Sequence, residues 1–286
     1  MSPKSAAELI RLGAKILEQA GVSDAQHDAR SLMAFVLSES QATAMPLSVR
    51  LIAEDQLRAF DALIARRAKR EPLQHILGKA TIFELVLKSD RRALIPRQDS
   101  AEIIALAMRC RSNKHSEPFV MADLGTGSGV LLAECLNQFE NATGIAVEQD
   151  ADALSLAVEN FADLDLTDRI DLFNGSWSDW PEWAACDLII SNPPYIRSDV
   201  IPTLQAEVRE HDPLAALDGG PDGLNAYREI IELAGIQMKS GAQLIFEIGF
   251  DQNQSVSQLL LAEGFTDLRH QQDFDGNDRA IAATKT

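Results

Sequence analysis

From Phe119 to the carboxyl terminus, apolar runs of strand length alternate with amphipathic stretches of helix length, and that rhythm leaves few architectures open. Strands are predicted at 119–124 (FVMADL), 143–148 (TGIAVE), 169–175, 186–191 (CDLIIS), 242–249 (AQLIFEIG), 266–274 and 279–285, with helices at 129–139, 151–164, 226–238 and 253–264. Leu188, Ile189 and Ile190 leave their strand no polar face, so both sides of the sheet must be covered. The alternation predicts an α/β fold: a mostly parallel, seven-stranded sheet with helices on both faces.

The amino-terminal quarter lacks this rhythm. Leu9, Leu12 and Ile16 share one stripe at helical spacing and Leu57, Phe60 and Ile64 another, Ser23 is a candidate N-cap, and Gly21 and Gly78 are candidate stops. Residues 1–78 therefore read as a small helical bundle. Residues 79–97 read as a hairpin linker, and residues 98–286 as the α/β domain, opening with a helix over about 98–112 and a polar break at 111–118. Nothing in the bundle resembles a reactive centre, which leaves it packing or partner docking.

Composition removes several classes of function. The formal charge of −17 repels a polyanion, so nucleic acid is not expected as a direct partner. Basic residues cluster only in RRAKR (66–70) and KSDRR (88–92), read as a solvated helix end and a turn with room for one positive patch. Cys110, Cys135 and Cys186 form no pair at metal or redox spacing and read as buried thiols. His27, His75, His115, His211 and His270 show no metal-binding spacing either, so no metal is expected. No apolar run approaches a membrane span, and the amino terminus lacks the apolar centre of a secretory signal. A cytoplasmic monomer is the expectation.

Two motifs carry chemistry. In MADLGTGSGVLL a strand ends at Asp123 and Gly125, Gly127 and Gly129 precede a helix, with Thr126 and Ser128 between them. Alternate glycines permit positive φ and remove the side chains that would hold a ligand off the main chain. Val130 stands where a nicotinamide fingerprint needs its third glycine, and no P-loop lysine follows. The second motif is SNPPY: two prolines halt a buried strand, so the chain must leave the sheet at Asn192, Pro193, Pro194 and Tyr195.

The first motif resembles the cofactor loop of class I S-adenosylmethionine-dependent methyltransferases. That resemblance implies S-adenosylmethionine as cofactor, a Rossmann-like sheet, and Asp123 toward the amino-acid end of the ligand. Glu148, at the tip of the next strand, can accept both ribose hydroxyl hydrogens, and Trp177 offers a face for the adenine, though a core tryptophan remains open there. N-P-P-Y resembles the catalytic motif of methyltransferases acting on planar nitrogen, either an exocyclic amino group of a base or a glutamine amide. Such a nitrogen is a poor nucleophile because its lone pair is delocalised. The Asn192 side-chain oxygen and the Pro193 carbonyl can accept its two hydrogens, and Tyr195 can stack on the flat amide.

A closer resemblance rests on ordered segments: EPLQHILGKATIFELVLKSDRRALIPR (71–97), DLGTGSG, SNPPYI, VREHDPLAALDGGPDGL (208–224), FEIG (246–249) and DFDGNDRA (273–280). In this order they are similar to the release-factor glutamine methyltransferase family. The resemblance implies a helical domain joined by a hairpin to a methyltransferase domain, acting on the glutamine of the Gly-Gly-Gln loop in class 1 peptide chain release factors. The chain departs from the family's R-P-E-T-E with Arg97, Gln98, Asp99, Ser100 and Ala101, carries Ser176 where an acid is common, with Asp179 nearby, and has Asp212 for a usual glutamate. Three alternatives stay open: another protein's glutamine, a nucleic-acid amino group, or a non-catalytic adaptor with an altered cofactor entrance.

Overall fold

The computed structural model describes residues 5–38, 50–112 and 117–286. The predicted break at 111–118, with His115, falls partly outside them, as does the stretch 39–49 of the predicted bundle. The chain forms two compact units, Met1–Lys79 with Gln205–His211, and Ala80–Leu204 with Asp212–Thr286. No described helix is long and apolar enough to cross a membrane.

The helical unit contains Ala6–Gln19, Ala25–Ser38, Glu54–Ala68, Leu73–Leu77 and Ala206–His211. Ser5 opens it with a capping box: its hydroxyl accepts from Glu8 N–H at 3.3 Å while its own N–H donates to Glu8 Oε2 at 2.9 Å. The predicted stripe of Leu9, Leu12 and Ile16 needs correction, because Leu12 and Ile16 are 47% and 49% exposed and the buried face is Leu9, Ile10, Ala14 and Leu17. The reason is Gly13, where an added Cβ would stand 2.8 Å from Ile64 Cδ1, so close approach of a neighbouring helix decides which side turns inward. The cap of the second helix also shifts. Asp28 N–H donates to the Asp24 carbonyl at 2.9 Å, which makes Asp24 rather than Ser23 the residue closing the first turn. The predicted basic patch at 66–70 is largely neutralised within this unit. Arg66 pairs with Glu71 at 2.5 Å, and nearly buried Arg67 pairs with Asp28 at 2.7 Å and Glu207 at 2.9 Å. Arg70 also holds Glu207.

The second unit begins in a two-stranded hairpin, β1 (Lys79–Ile82) and β2 (Leu85–Lys88), and a 3-10 turn at Gln98–Ser100 leads into the helix Ala101–Cys110. The main sheet holds β3 (Phe119–Leu124), β4 (Ala142–Glu148), β5 (Ile170–Asn174), β6 (Leu188–Ser191), β7 (Gln243–Glu247), β8 (Phe265–Gln272) and β9 (Asp278–Lys285). Their spatial order is β5-β4-β3-β6-β7-β9-β8, parallel except where β9 runs against β7 and β8. This is the mostly parallel, seven-stranded sheet that the alternation predicts.

Alternate residues feed two separate cores. Met121, Leu188, Ile190 and Ile245 pack on one face with Leu106, Leu132 and Phe161. Ala122, Ile189, Leu244 and Phe246 pack on the other with Tyr227, Ile230 and Leu260. The strand order reverses at β3 and β6, which pair directly with Leu124 opposite Ser191. Such a switch point opens a crevice at the carboxyl ends of the strands.

One buried side chain fixes the hairpin to the glycine loop. Asn160, 1% exposed, accepts from Lys88 N–H at 2.7 Å and donates to the carbonyls of Lys88 at 3.3 Å and Ser128 at 2.9 Å. Asn160→Ala leaves a half-buried N–H and two carbonyls short of a partner, and is expected to destabilise this unit by about 2 kcal/mol in chemical denaturation.

Candidate active site

The site is built from the carboxyl ends of adjacent strands. After β3 the chain turns so tightly that the N–H groups of Gly125 and Thr126 both donate to the Val147 carbonyl, at 2.8 and 3.1 Å. Gly125, Gly127 and Gly129 all take positive φ, of 74°, 56° and 84°. Their roles differ. Gly129 serves packing, since an added Cβ would lie 2.5 Å from the Phe161 ring, whereas Gly125 and Gly127 lie on the cleft wall with only Trp177 and Ala93 near the missing Cβ positions, at 3.8 and 4.0 Å. The bare backbone is therefore ligand-facing at two of the three glycines.

Thr126 and Ser128 line the cleft, while Asp123 lies beneath the turn, fully buried, and does not reach the wall. Its Oδ2 accepts from the Thr126 hydroxyl at 2.8 Å, and its Oδ1 is buried with no hydrogen-bond partner among the described residues. Burial pushes this carboxyl up to about 7; the Thr126 hydroxyl opposes the rise and the charge of Glu148 adds to it. A neutral acid suits that surrounding, so Asp123 acts on the loop from below.

Glu148 ends β4 and lines the cleft. One carboxylate oxygen accepts from Gly127 N–H and the other from Asp150 N–H, each at 3.0 Å. Each oxygen keeps a lone pair for a ligand hydroxyl. Glu148→Ala removes both acceptors and the brace on Gly127. Trp177 is half-buried on the same wall beside Gly125.

The strand β6 ends at Ser191, whose hydroxyl donates to the Leu124 carbonyl at 2.7 Å and ties the two switch-point strands together. Asn192, Pro193 and Pro194 then line the cleft that the glycine loop lines. The Asn192 carboxamide and the Pro193 carbonyl make no hydrogen bond with the described residues, so both acceptors stand uncommitted at the wall. Tyr195 is not on that wall; its ring packs at the edge of the core and its hydroxyl donates to Glu247 Oε1 at 3.2 Å.

The motif is clamped from behind by residues that sequence reasoning left without a role. Ile196 N–H donates to the Leu217 carbonyl at 3.0 Å and Gly219 N–H to the Ile196 carbonyl at 2.8 Å. The fit is close: a Cβ on Gly219 would fall 2.8 Å from the Pro194 carbonyl, and one on Gly223 2.5 Å from the Tyr195 carbonyl. The glycines of LDGGPDG are the signal that could have found this contact. Asp212, pushed up to about 6 by burial against the opposing pull of Arg97, lies 3.8 Å from Arg97 on the segment leading to Pro213 at the cleft.

Comparison with known proteins agrees in both units. Residues 8–78 match the PrmC N-terminal domain and residues 106–208 the methyltransferase small domain. The release factor glutamine methyltransferase of Caulobacter vibrioides is 35% identical over 269 residues, covering 94% of this chain and 92% of that protein. The protein of the same name from Agrobacterium fabrum is 38% identical over 279 residues, covering 96% and 95%. Among solved structures, the hMettl16 catalytic domain in complex with a MAT2A 3′UTR hairpin superposes with a TM-score of 0.58 at 13% identity over 89% of this chain and 92% of that one. A methyltransferase from Pyrococcus furiosus gives 0.51 at 16% identity over 71% and 90%. Identity at that level speaks for the fold alone. The near full-length matches do more: this chain belongs to the release factor glutamine methyltransferase family.

Proposed function

We propose that the chain transfers a methyl group from S-adenosylmethionine to the side-chain amide nitrogen of the glutamine in the Gly-Gly-Gln loop of class 1 peptide chain release factors. The observation that carries this reading is the pair of uncommitted acceptors, Asn192 and Pro193, on the wall of the same cleft as the bare glycine turn. The residues fit the cofactor: Gly125 and Gly127 leave main chain accessible, Glu148 retains lone pairs for hydroxyls, and Trp177 presents an aromatic wall. When bound, S-adenosylmethionine supplies an electrophilic methyl group on a positively charged sulfur.

The protein's task is to make an amide nitrogen nucleophilic. Asn192 Oδ1 and the Pro193 carbonyl accept the two N–H hydrogens, fix the plane of the group and favour lone-pair density out of that plane. A single hydrogen on a substituted amide would satisfy only one acceptor, so the site selects a primary amide. The acidic charge of −17 supports a protein acceptor over a polyanion. Residues 1–78 are assigned the docking of the release factor, residues 79–97 the linker, and residues 98–286 the chemistry, all in the cytoplasm where termination takes place.

Incubation with labelled S-adenosylmethionine and purified release factor should label one glutamine, located by mass spectrometry. Transfer no greater than that of Asn192→Ala overturns the reading. Retained transfer to release factors with a substituted Gly-Gly-Gln glutamine would redirect it to another acceptor residue.

A further inference from the structure

Glu247 ends β7 beside β6, with Phe246 paired to Ser191, and is 2% exposed. A carboxylate at that depth needs its oxygens occupied. Oε1 accepts from the Tyr195 hydroxyl at 3.2 Å and Oε2 from the Ser100 hydroxyl at 2.7 Å. Ser100 itself lines the cleft. The main chain of the same residues is held as well: Tyr227 donates to the Glu247 carbonyl at 2.7 Å, and Gln252 Nε2 donates to the Tyr195 carbonyl at 3.0 Å and the Gly223 carbonyl at 3.1 Å. Tyr195 is therefore gripped at its phenol and at its backbone, and the phenol grip depends on one side chain.

We propose that Glu247 is a positioning residue for methyl transfer, holding the Tyr195 ring and, through Ser100, the edge of the cleft in a fixed relation to Asn192. The proposal rests on reading Asn192–Tyr195 as the amide-holding motif. Asn192 and Pro193 share a rigid four-residue segment with Tyr195, and the prolines transmit a displacement of the ring to the two acceptors. An anchor at the phenol thus fixes where an incoming amide meets them, without touching the substrate itself. The serine at position 100 acquires a physical role as the second donor that keeps the glutamate from turning away from Tyr195.

The test measures kcat, KM for release factor and S-adenosylmethionine affinity, each per folded cofactor-binding site, so that lost stability does not count as lost catalysis. Glu247→Leu and Tyr195→Phe should each lower kcat about 10- to 100-fold with cofactor affinity unchanged, because misplacement of about an ångström carries that cost. The double variant should be no slower than the worse single one, since both cut the same link. Glu247→Gln should recover most of the rate, because its amide offers an acceptor to one hydroxyl and a donor to the other. Wild-type kcat in Glu247→Leu, additive losses in the double variant, or a Gln variant as slow as the Leu variant would each overturn the proposal. A wild-type chain that labels no glutamine overturns the underlying reading and this inference with it, whereas an active wild type beside an unaffected Glu247→Leu removes the inference alone.

Discussion

Asn192→Ala is expected to fold, to bind S-adenosylmethionine with near wild-type affinity, and to turn over on the order of 10²–10³ times more slowly, the range seen when one preorganised polar contact to a developing charge is deleted. The size follows from the division of labour in the cleft. On the proposed reading the cofactor is held by the glycine turn, Glu148 and Trp177, whereas the Asn192 carboxamide makes no hydrogen bond with the described residues, so truncating it disturbs no internal bond. What is lost is one of two acceptors for the amide hydrogens, and with it the orientation of the nitrogen lone pair. The loss should fall on kcat, with KM for the release factor little changed, because the deleted contact is to the reacting amide alone. Asn192→Gln supplies a control with identical chemistry: its amide sits one methylene further out and is expected to be slowed about 100-fold. Steady-state kinetics with purified release factor decide the matter. An Asn192→Ala enzyme within tenfold of wild type, or one whose defect lies wholly in cofactor affinity, would contradict the assignment.

The glycine turn and N-P-P-Y were legible in the sequence because their signals are local. Positive φ at Gly125 and Gly127, and prolines after three apolar residues, fix backbone shape wherever they occur. The residues that hold those motifs in place were not legible, for the opposite reason. Ser100 meets Glu247 across 147 positions and Asn160 meets Lys88 across 72, and a single polar residue in an apolar run does not announce its partner. Charge patterns mislead in the same way. RRAKR marks cations but not the acids that neutralise them, one of which, Glu207, comes from more than a hundred residues away. Helix 6–19 shows the limit of periodicity: Leu12 and Ile16 extend one acceptable stripe and Ile10 and Leu17 another, and only the packing at Gly13 selects between them. The resemblance implies Asp123 toward the amino-acid end of the cofactor, whereas its fully buried side chain lies beneath the loop and accepts from the Thr126 hydroxyl.

That inward orientation is expected to make ligand-free stability fall as the pH rises from about 4 to 7, opposite to the trend of a protein whose buried carboxylates are all salt-bridged. The Asp123 carboxyl is raised from an ordinary 3.8 to about 7, chiefly by burial. Below pH 4 it is protonated whether the chain is folded or not and costs nothing. Between about 4 and 7 the unfolded chain releases a proton that the folded chain must keep, so each pH unit removes about 1.4 kcal/mol, on the order of 4 kcal/mol across the window. Asp212, raised to about 6, and Glu247, also raised by burial, add slope of the same sign. The depressed carboxylates act in another window: Glu207, Asp222 and Asp273, each lowered to about 2, contribute stability that is present above their ordinary values and is lost only as the pH falls toward 2. They leave the interval from about 4 to 7 to the raised groups. Asp123→Asn keeps an acceptor for the Thr126 hydroxyl and cannot ionise, so it should unfold at a higher temperature than wild type at pH 8, by several degrees, and lose less stability on going up from pH 5. Thermal unfolding of both proteins without ligand at the two pH values provides the comparison. Parallel pH slopes in wild type and Asp123→Asn would mean that Asp123 is already ionised in the folded chain, and the account of the loop resting on a neutral acid would have to be given up.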